Sequence, residues 1–226
     1  IMSSDWSSDV CSSDLDGEPT LMVRKNAGRA RAESPIRKQI AVGSPKQMAD
    51  VLARQDIAMP RRLGLEMDVI PATLYLAIGE IFPDAQRLDI SEAIRTIRSV
   101  KSETEIALIR EAARCADQVA VFAGEALNEG IAEVELAGLV EAEARRLGHQ
   151  GFVRMRLWDH ELFYGHLMAG ARAAVPSYLA SPTGGAALSP AVAQGSSLHP
   201  IRRREPILVD YVFAKDGYLA DHTRIF

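Results

Sequence analysis

The last twenty-one residues, PILVDYVFAKDGYLADHTRIF, limit the fold more than any other stretch of this chain. Two apolar runs, Ile207–Phe213 and Tyr218–Phe226, flank Lys215-Asp216-Gly217. That tripeptide suits a tight hairpin, with glycine taking the positive φ such a turn needs. Folding about Lys215-Asp216 sets Asp210 opposite Asp221. Period-two alternation then puts Leu208, Asp210 and Val212 on one face with Leu219, Asp221 and Thr223. Carboxylates facing each other across a strand pair repel, and apolar neighbours raise the cost of leaving them ionised and unpaired. Something positive should sit between them. Three arrangements meet that need. The pair shares a proton, a neighbouring arginine neutralises it, or both acids ligate a divalent metal through hard oxygen donors. Arg224, the nearest arginine in sequence, falls on the opposite face by parity.

At 226 residues the chain has room for one large or two modest domains with a real core. Lys plus Arg is 26 against 30 for Asp plus Glu, a net charge of -4, so there is no general electrostatic case for nucleic acid or an anionic membrane as partner. No apolar run approaches the roughly 18 residues that span a bilayer. Two cysteines, Cys11 and Cys115, make no disulfide framework. A reducing cytoplasm is therefore the expected compartment.

Residues Ile1–Leu15 read IMSSDWSSDVCSSDL, with Ser-Ser-Asp three times. The segment has neither the basic nor the apolar region of a secretory leader. It has nothing to bury and reads as a disordered tail. Asp9–Leu15, DVCSSDL, resembles a sequencing-adapter oligonucleotide translated in frame, so residues 1–15 are set outside the fold. Leaving out Asp5, Asp9 and Asp14, with no basic residue among the fifteen, moves the net charge from -4 to -1. Cys115 then remains as a single thiol in a helical pattern, where it reads as a small buried hydrophobe.

Between residues 16 and 98, strand and helix signals alternate, which predicts a small α/β domain. Thr20–Val23 reads as a strand and Lys25–Pro35 as a polar loop. Ser44-Pro45 opens a helix through Val51 and Leu52. Arg62–Met67 reads as a strand, a helix follows Ile70-Pro71, and Leu88–Ile97 is a single final element. Ser102-Glu103-Thr104-Glu105 is a capping box ahead of a helical stripe from Ile106 to Ala123. A second helix covers Val134–Leu147, closed by Gly148. Its start is weakly specified, because Ala132 stands where a capping Ser, Thr or Asp would help. Phe152–Leu157 alternates as a half-buried strand. Pro176–Pro200 reads as a long loop, the kind that carries function or covers a site.

The spacing of Asp210 and Asp221 within LVDYVFAKDGYLADHTR resembles the paired metal aspartates of the pita-bread metallopeptidases, the superfamily of Xaa-Pro aminopeptidase, prolidase and methionine aminopeptidase. IRSVKSETEIALIREAARCAD, from Ile97 to Asp117, is similar to the entry into the catalytic domain of the Xaa-Pro type. Residues 16–95 are similar to the latter part of the creatinase-like N-terminal domain. The fold implied is α/β: a partial creatinase-like domain over 16–98, then the first half of a pita-bread catalytic domain over 99–226, cut at both ends. The resemblance implies a dinuclear centre, with Asp210 on one ion and Asp221 bridging both. Manganese is the first expectation for the metal, with cobalt or zinc also suiting a carboxylate and imidazole site. The implied reaction releases an N-terminal residue, often one preceding proline, through hydroxide activated by the two metals. The implied partner is a peptide substrate, and a homodimer is compatible with the family.

Two departures stand out. The family supplies a further His and two Glu ligands on later strands, beyond Phe226, so the 226 residues are expected to be inactive by themselves. The family also places a substrate-binding His upstream of the first Asp, where Ala193-Gln194 stand here. His199 is nearer to Asp210 than that pattern wants and reads as a loop residue. His160 and His166 read as core or surface residues, and His222 alternates onto the face away from the aspartates. Two other readings are carried forward. One is a metal-free creatinase-like hydrolase of C–N bonds; the other is a non-catalytic pita-bread module used for binding.

Overall fold

The computed structural model describes residues 10–12, 19–154, 156, 161–162, 164–176, 183–192 and 194–226. It divides into two compact units, Ile1–Val100 and Lys101–Phe226.

In the first unit, β1 (Val10–Ser12) pairs antiparallel with β2 (Thr20–Val23), and β2 pairs parallel with β3 (Lys38–Ala41). The tail expected to be disordered over residues 1–15 is therefore a strand at Val10–Ser12. The open edge of β2 offers backbone partners there that composition does not reveal; the rest of 1–15 lies outside the described residues. Lys25–Pro35 also departs from the expected loop. Ala27–Glu33 is a helix of about two turns, α1, entered through Asn26 at φ 56 and braced by Arg29–Glu33 at 2.8 Å. It buries no residue, so no apolar stripe announces it. A 3₁₀ turn at Pro45–Gln47 leads into α2 (Met48–Arg54). β4 (Arg62–Leu65) pairs parallel with β5 (Gln86–Asp89) around α3 (Ala72–Ile81). Leu88–Ile97 is not one element. The Asp89 carboxylate accepts the Ser91 amide at 2.9 Å, ending β5 and starting α4 (Ser91–Ser99). Met22, Val42, Met48, Val51, Leu52, Leu65, Ile78 and Phe82 form the core.

The second unit begins with α5 (Glu103–Ala126). Ser102 Oγ accepts the Glu105 amide at 3.3 Å, and Glu105 Oε2 accepts the Ser102 amide at 2.7 Å, completing the capping box. Its stripe of Ala112, Cys115, Ala116, Val119 and Ala123 is buried against α6 (Glu133–Arg146) through Leu136, Val140 and Ala144. Cys115 is 1% exposed, and burial pushes its thiol up. The strands are β6 (Val153–Arg154), β7 (Glu161–Leu162), β8 (Gly165–Ala169), β9 (Ile207–Lys215) and β10 (Tyr218–Ile225). β6 and β7 pair with each other, while β10, β9 and β8 form an antiparallel sheet in that order. Val209, Tyr211, Phe213, Leu167 and Ala220 turn to the helices. Among the described residues no helix is long and apolar enough to cross a membrane.

Helix α6 lacks a side-chain cap at Ala132, yet its start is firmly held. The Glu133 amide donates to His199 O at 3.0 Å and the Val134 amide to Ser197 O at 3.0 Å. Two of the amides that every helix start leaves open are thus met by the backbone of the long loop. A capping signal built from residues sixty positions away cannot be read locally.

β8 stops at Gly165, and the rest of that edge of β9 is closed by His149 and Gln150. His149 is 2% exposed. Its Nδ1 accepts the Gly151 amide at 2.9 Å, so Nε2 carries the proton and donates to Val212 O at 3.1 Å. The Gln150 amide donates to Ala214 O at 2.8 Å. Burial holds the His149 pKa below its ordinary value of 6.5. Below that pH the unfolded chain takes up a proton that the folded chain refuses, so stability falls as the pH drops. The unfolding free energy of this unit, from urea titration, should decrease between pH 7.5 and pH 5.5, by up to ~1.4 kcal/mol per pH unit for this one group. His149→Gln should flatten that slope; an unchanged slope would contradict the assignment.

Candidate metal centre

The hairpin that carries both aspartates turns through Asp216 at φ 51 and Gly217 at φ 81. Two consecutive positive φ values make a type I′ turn, for which Asp-Gly is a favoured pair. Lys215 therefore pairs with Tyr218, and Asp210 lies opposite Thr223 and Asp221 opposite Val212. The expected register, with Asp210 directly opposite Asp221, is corrected by two residues, because the turn centres on Asp216-Gly217 and not on Lys215-Asp216. A shift of two preserves parity, whereas a shift of one would have sent every side chain to the other face. The aspartates are diagonal neighbours on one face, roughly 7–8 Å apart between backbone positions.

That face is the one turned away from α5 and α6. Asp221, Thr223 and Ile225 are exposed on it, and Asp210 is half-buried. Asp210 Oδ1 accepts a hydrogen bond from Thr223 Oγ1 at 2.6 Å. The protein packed around Asp221, and secondly the Asp210 charge, raise the Asp221 pKa above its ordinary value. The nearby cations face the other way. His222 Nδ1 and Arg224 Nη2 each lie 3.3 Å from Asp117 of α5, and Lys215 Nζ lies 2.9 Å from Glu111. An arginine between the aspartates is thereby set aside for Arg224, leaving a shared proton or a bound cation.

His199 Nε2 lies 3.6 Å from Glu205 in the loop. His160 and Ala193 lie outside the described residues. Gln194, next to Ala193, is 6% exposed, and its Nε2 is 3.5 Å from His166 Nε2. His166 is 3% exposed and stands directly across β8 and β9 from Asp210. Burial lowers its pKa and the Asp210 charge works against that. Close approach of β8 to β9 here requires Gly165, because a Cβ there would run into Asp210 O. The alternation of GHLMA already separates His166 and Met168 from Leu167 and Ala169. The partner of His166 lies more than forty residues on, and no local signal names it.

Two hard carboxylates of like charge on an open face suit a divalent cation. Among the described residues no group of three His, Cys, Asp or Glu could hold a metal ion, so Asp210 and Asp221 are at most part of a ligand set.

The sequence pattern of the metallopeptidase family M24 matches residues 107–226, more than half of the chain. The chain belongs to metallopeptidase family M24. The creatinase/prolidase N-terminal domain matches residues 10–100 of this M24 chain. The Xaa-Pro dipeptidase of Bacillus anthracis superposes with a TM-score of 0.76 at 19% identity, over 97% of this chain and 54% of that one. The prolidase of Pyrococcus furiosus gives a TM-score of 0.74 at 21% identity, over 96% of this chain and 58% of that one. These likenesses show the fold, an α/β arrangement of the pita-bread kind. Creatinase from Bacillus sp. strain B-0618 is 37% identical over 76 residues, which is 34% of this chain and 18% of creatinase. The M24 chain thus spans little more than half the length of the solved structures it matches.

Proposed function

We propose that the whole protein is a metal-dependent exopeptidase that releases the N-terminal residue of peptides, with those carrying proline next in line preferred. Asp210 and Asp221 would supply two of the ligands of its dinuclear centre, with manganese the first choice and cobalt or zinc alternatives. Residues 16–98 belong to the creatinase-like N-terminal domain and 99–226 to the catalytic domain. The observation that supports this reading best is the placement of two like-charged carboxylates on one solvent-facing sheet surface, with the adjacent cations turned away, in an M24 chain.

When bound, two divalent ions supply Lewis-acid polarisation of the scissile carbonyl and an activated water. The chain's own part is to hold the carboxylates ready. Thr223 fixes one oxygen of Asp210. The type I′ turn sets the diagonal between the two acids, and the helices behind β9 and β10 keep the sheet from adapting. Two carboxylates alone hold a two-metal centre poorly, so the 226-residue chain by itself should not hydrolyse dipeptides.

The test is hydrolysis of an Xaa-Pro dipeptide by the whole enzyme. Activity should vanish on chelation and return with Mn²⁺. Hydrolysis that survives chelation, or a metal-free protein that cleaves a creatine-like C–N bond instead, would refute the proposal.

A further inference from the structure

β9 is the central strand of its sheet, so Asp210 has a cross-strand neighbour on each side. On β10 that neighbour is Thr223, whose hydroxyl donates to Asp210 Oδ1 at 2.6 Å. On β8 it is His166. Directly paired residues of an antiparallel sheet share a face with their Cβ atoms about 4.5–5.5 Å apart. A hydroxyl and an imidazole therefore flank one carboxylate, and an imidazole in any protonation state has at least one N–H to donate.

His166 is too deeply placed to be a chance surface residue. It is 3% exposed, and the loop that covers it brings Gln194, itself 6% exposed, to 3.5 Å from Nε2. Gln194 Oε1 is buried and makes no hydrogen bond among the described residues. A buried amide oxygen left open beside an imidazole is a costly feature for a purely structural core. The loop is anchored close by, where Ser196 Oγ donates to Leu167 O at 2.7 Å and Ser197 is bound to Glu133.

We propose that His166, oriented by Gln194, is a positioning residue that holds the Asp210 carboxylate in the orientation in which it takes a divalent cation. This rests on the assignment of Asp210 as a ligand. Thr223 is bonded to Asp210 on one side of β9, and His166 is paired beside it on the other. Residues that hydrogen-bond a metal's ligands act in this way, and losing one typically costs about 10–100-fold in metal affinity.

The experiment titrates Co²⁺ into the metal-free whole enzyme and follows both the heat of binding and the visible absorption of bound cobalt. His166→Ala should weaken the tighter Co²⁺ site by about 10–100-fold and shift its absorption bands. His166→Asn, which retains a donor, should recover part of the loss, and Gln194→Ala should move affinity in the same direction by a smaller factor. Thermal melts of the metal-free variants identify any that fail to fold. Affinity within twofold of wild type with an unchanged spectrum in His166→Ala overturns the proposal. Should that variant not fold, the same result in both His166→Asn and Gln194→Ala overturns it. Asp210→Ala separates the two claims. If it keeps full Co²⁺ affinity, the ligand assignment itself fails; if it loses affinity while the His166 variants do not, only the role of His166 fails.

Discussion

Asp221→Asn in the whole enzyme is expected to lower kcat/KM for an Xaa-Pro dipeptide by about 10³-fold or more, while leaving the metal-free protein at least as stable as before. The first half follows from the shared role proposed for Asp221. If Asp221 is shared by two metals as proposed, removing its charge would weaken both positions at once, and a loss of ~4 kcal/mol of transition-state stabilisation corresponds to about 10³-fold. The second half follows from electrostatics. Asp221 shares a face with Asp210, and the neighbouring protein and the Asp210 charge both raise its pKa above the ordinary value. Relieving a diagonal like-charge pair on one face stabilises the metal-free protein by at most about 1 kcal/mol. Loss of activity together with unchanged or higher stability marks a residue kept for chemistry. If Asp221→Asn lost stability in step with activity, the residue would be structural and the account of the site would fail.

Glu133→Ala should be the most destabilising single change in the second unit, at about 3–5 kcal/mol in chemical denaturation. Glu133 is 0% exposed. Its carboxylate accepts the Ala169 amide at 2.8 Å, the Ser197 amide at 2.9 Å and the Ser197 hydroxyl at 2.6 Å. Truncation strands three buried donors, each costing ~1–3 kcal/mol, and leaves a cavity beside the start of α6. Glu133→Gln should cost less, because one acceptor oxygen remains, although its amide would then face a donor. The effect reaches the site. Glu133 ties α6, the end of β8 and the loop through Ser197 into one knot, and that loop also carries Gln194 to His166. A loss below ~1 kcal/mol would mean the knot is not what holds the loop.

Elements whose signals are local were readable from the residues alone. The Ser102 capping box, the apolar stripe of α5 and the alternation in β9 and β10 each lie within a few residues of what they specify. The facing of Asp210 and Asp221 was readable for the same reason, since parity survives any even shift of register. Their diagonal relation was not, because it depended on which residues accept positive φ, and Asp216 shares that burden with Gly217. Helix α1 was hidden because it buries nothing. The boundary between β5 and α4 was hidden because one carboxylate, that of Asp89, takes the Ser91 amide and hydroxyl. His166 and Gln194 were invisible as site residues because their neighbours come from pairing across long intervals. Glu133 is likewise an ordinary helix glutamate until Ser197 and Ala169 are brought to it.

The central claim is that Asp210 and Asp221 hold two metal ions. Crystals of the whole enzyme grown with Mn²⁺ would test it most directly, by anomalous scattering at the manganese edge. Two peaks about 3.5–4 Å apart, one bonded to Asp210 and both bonded to Asp221, are the predicted result. A manganese-saturated crystal with no peak at either carboxylate would contradict it.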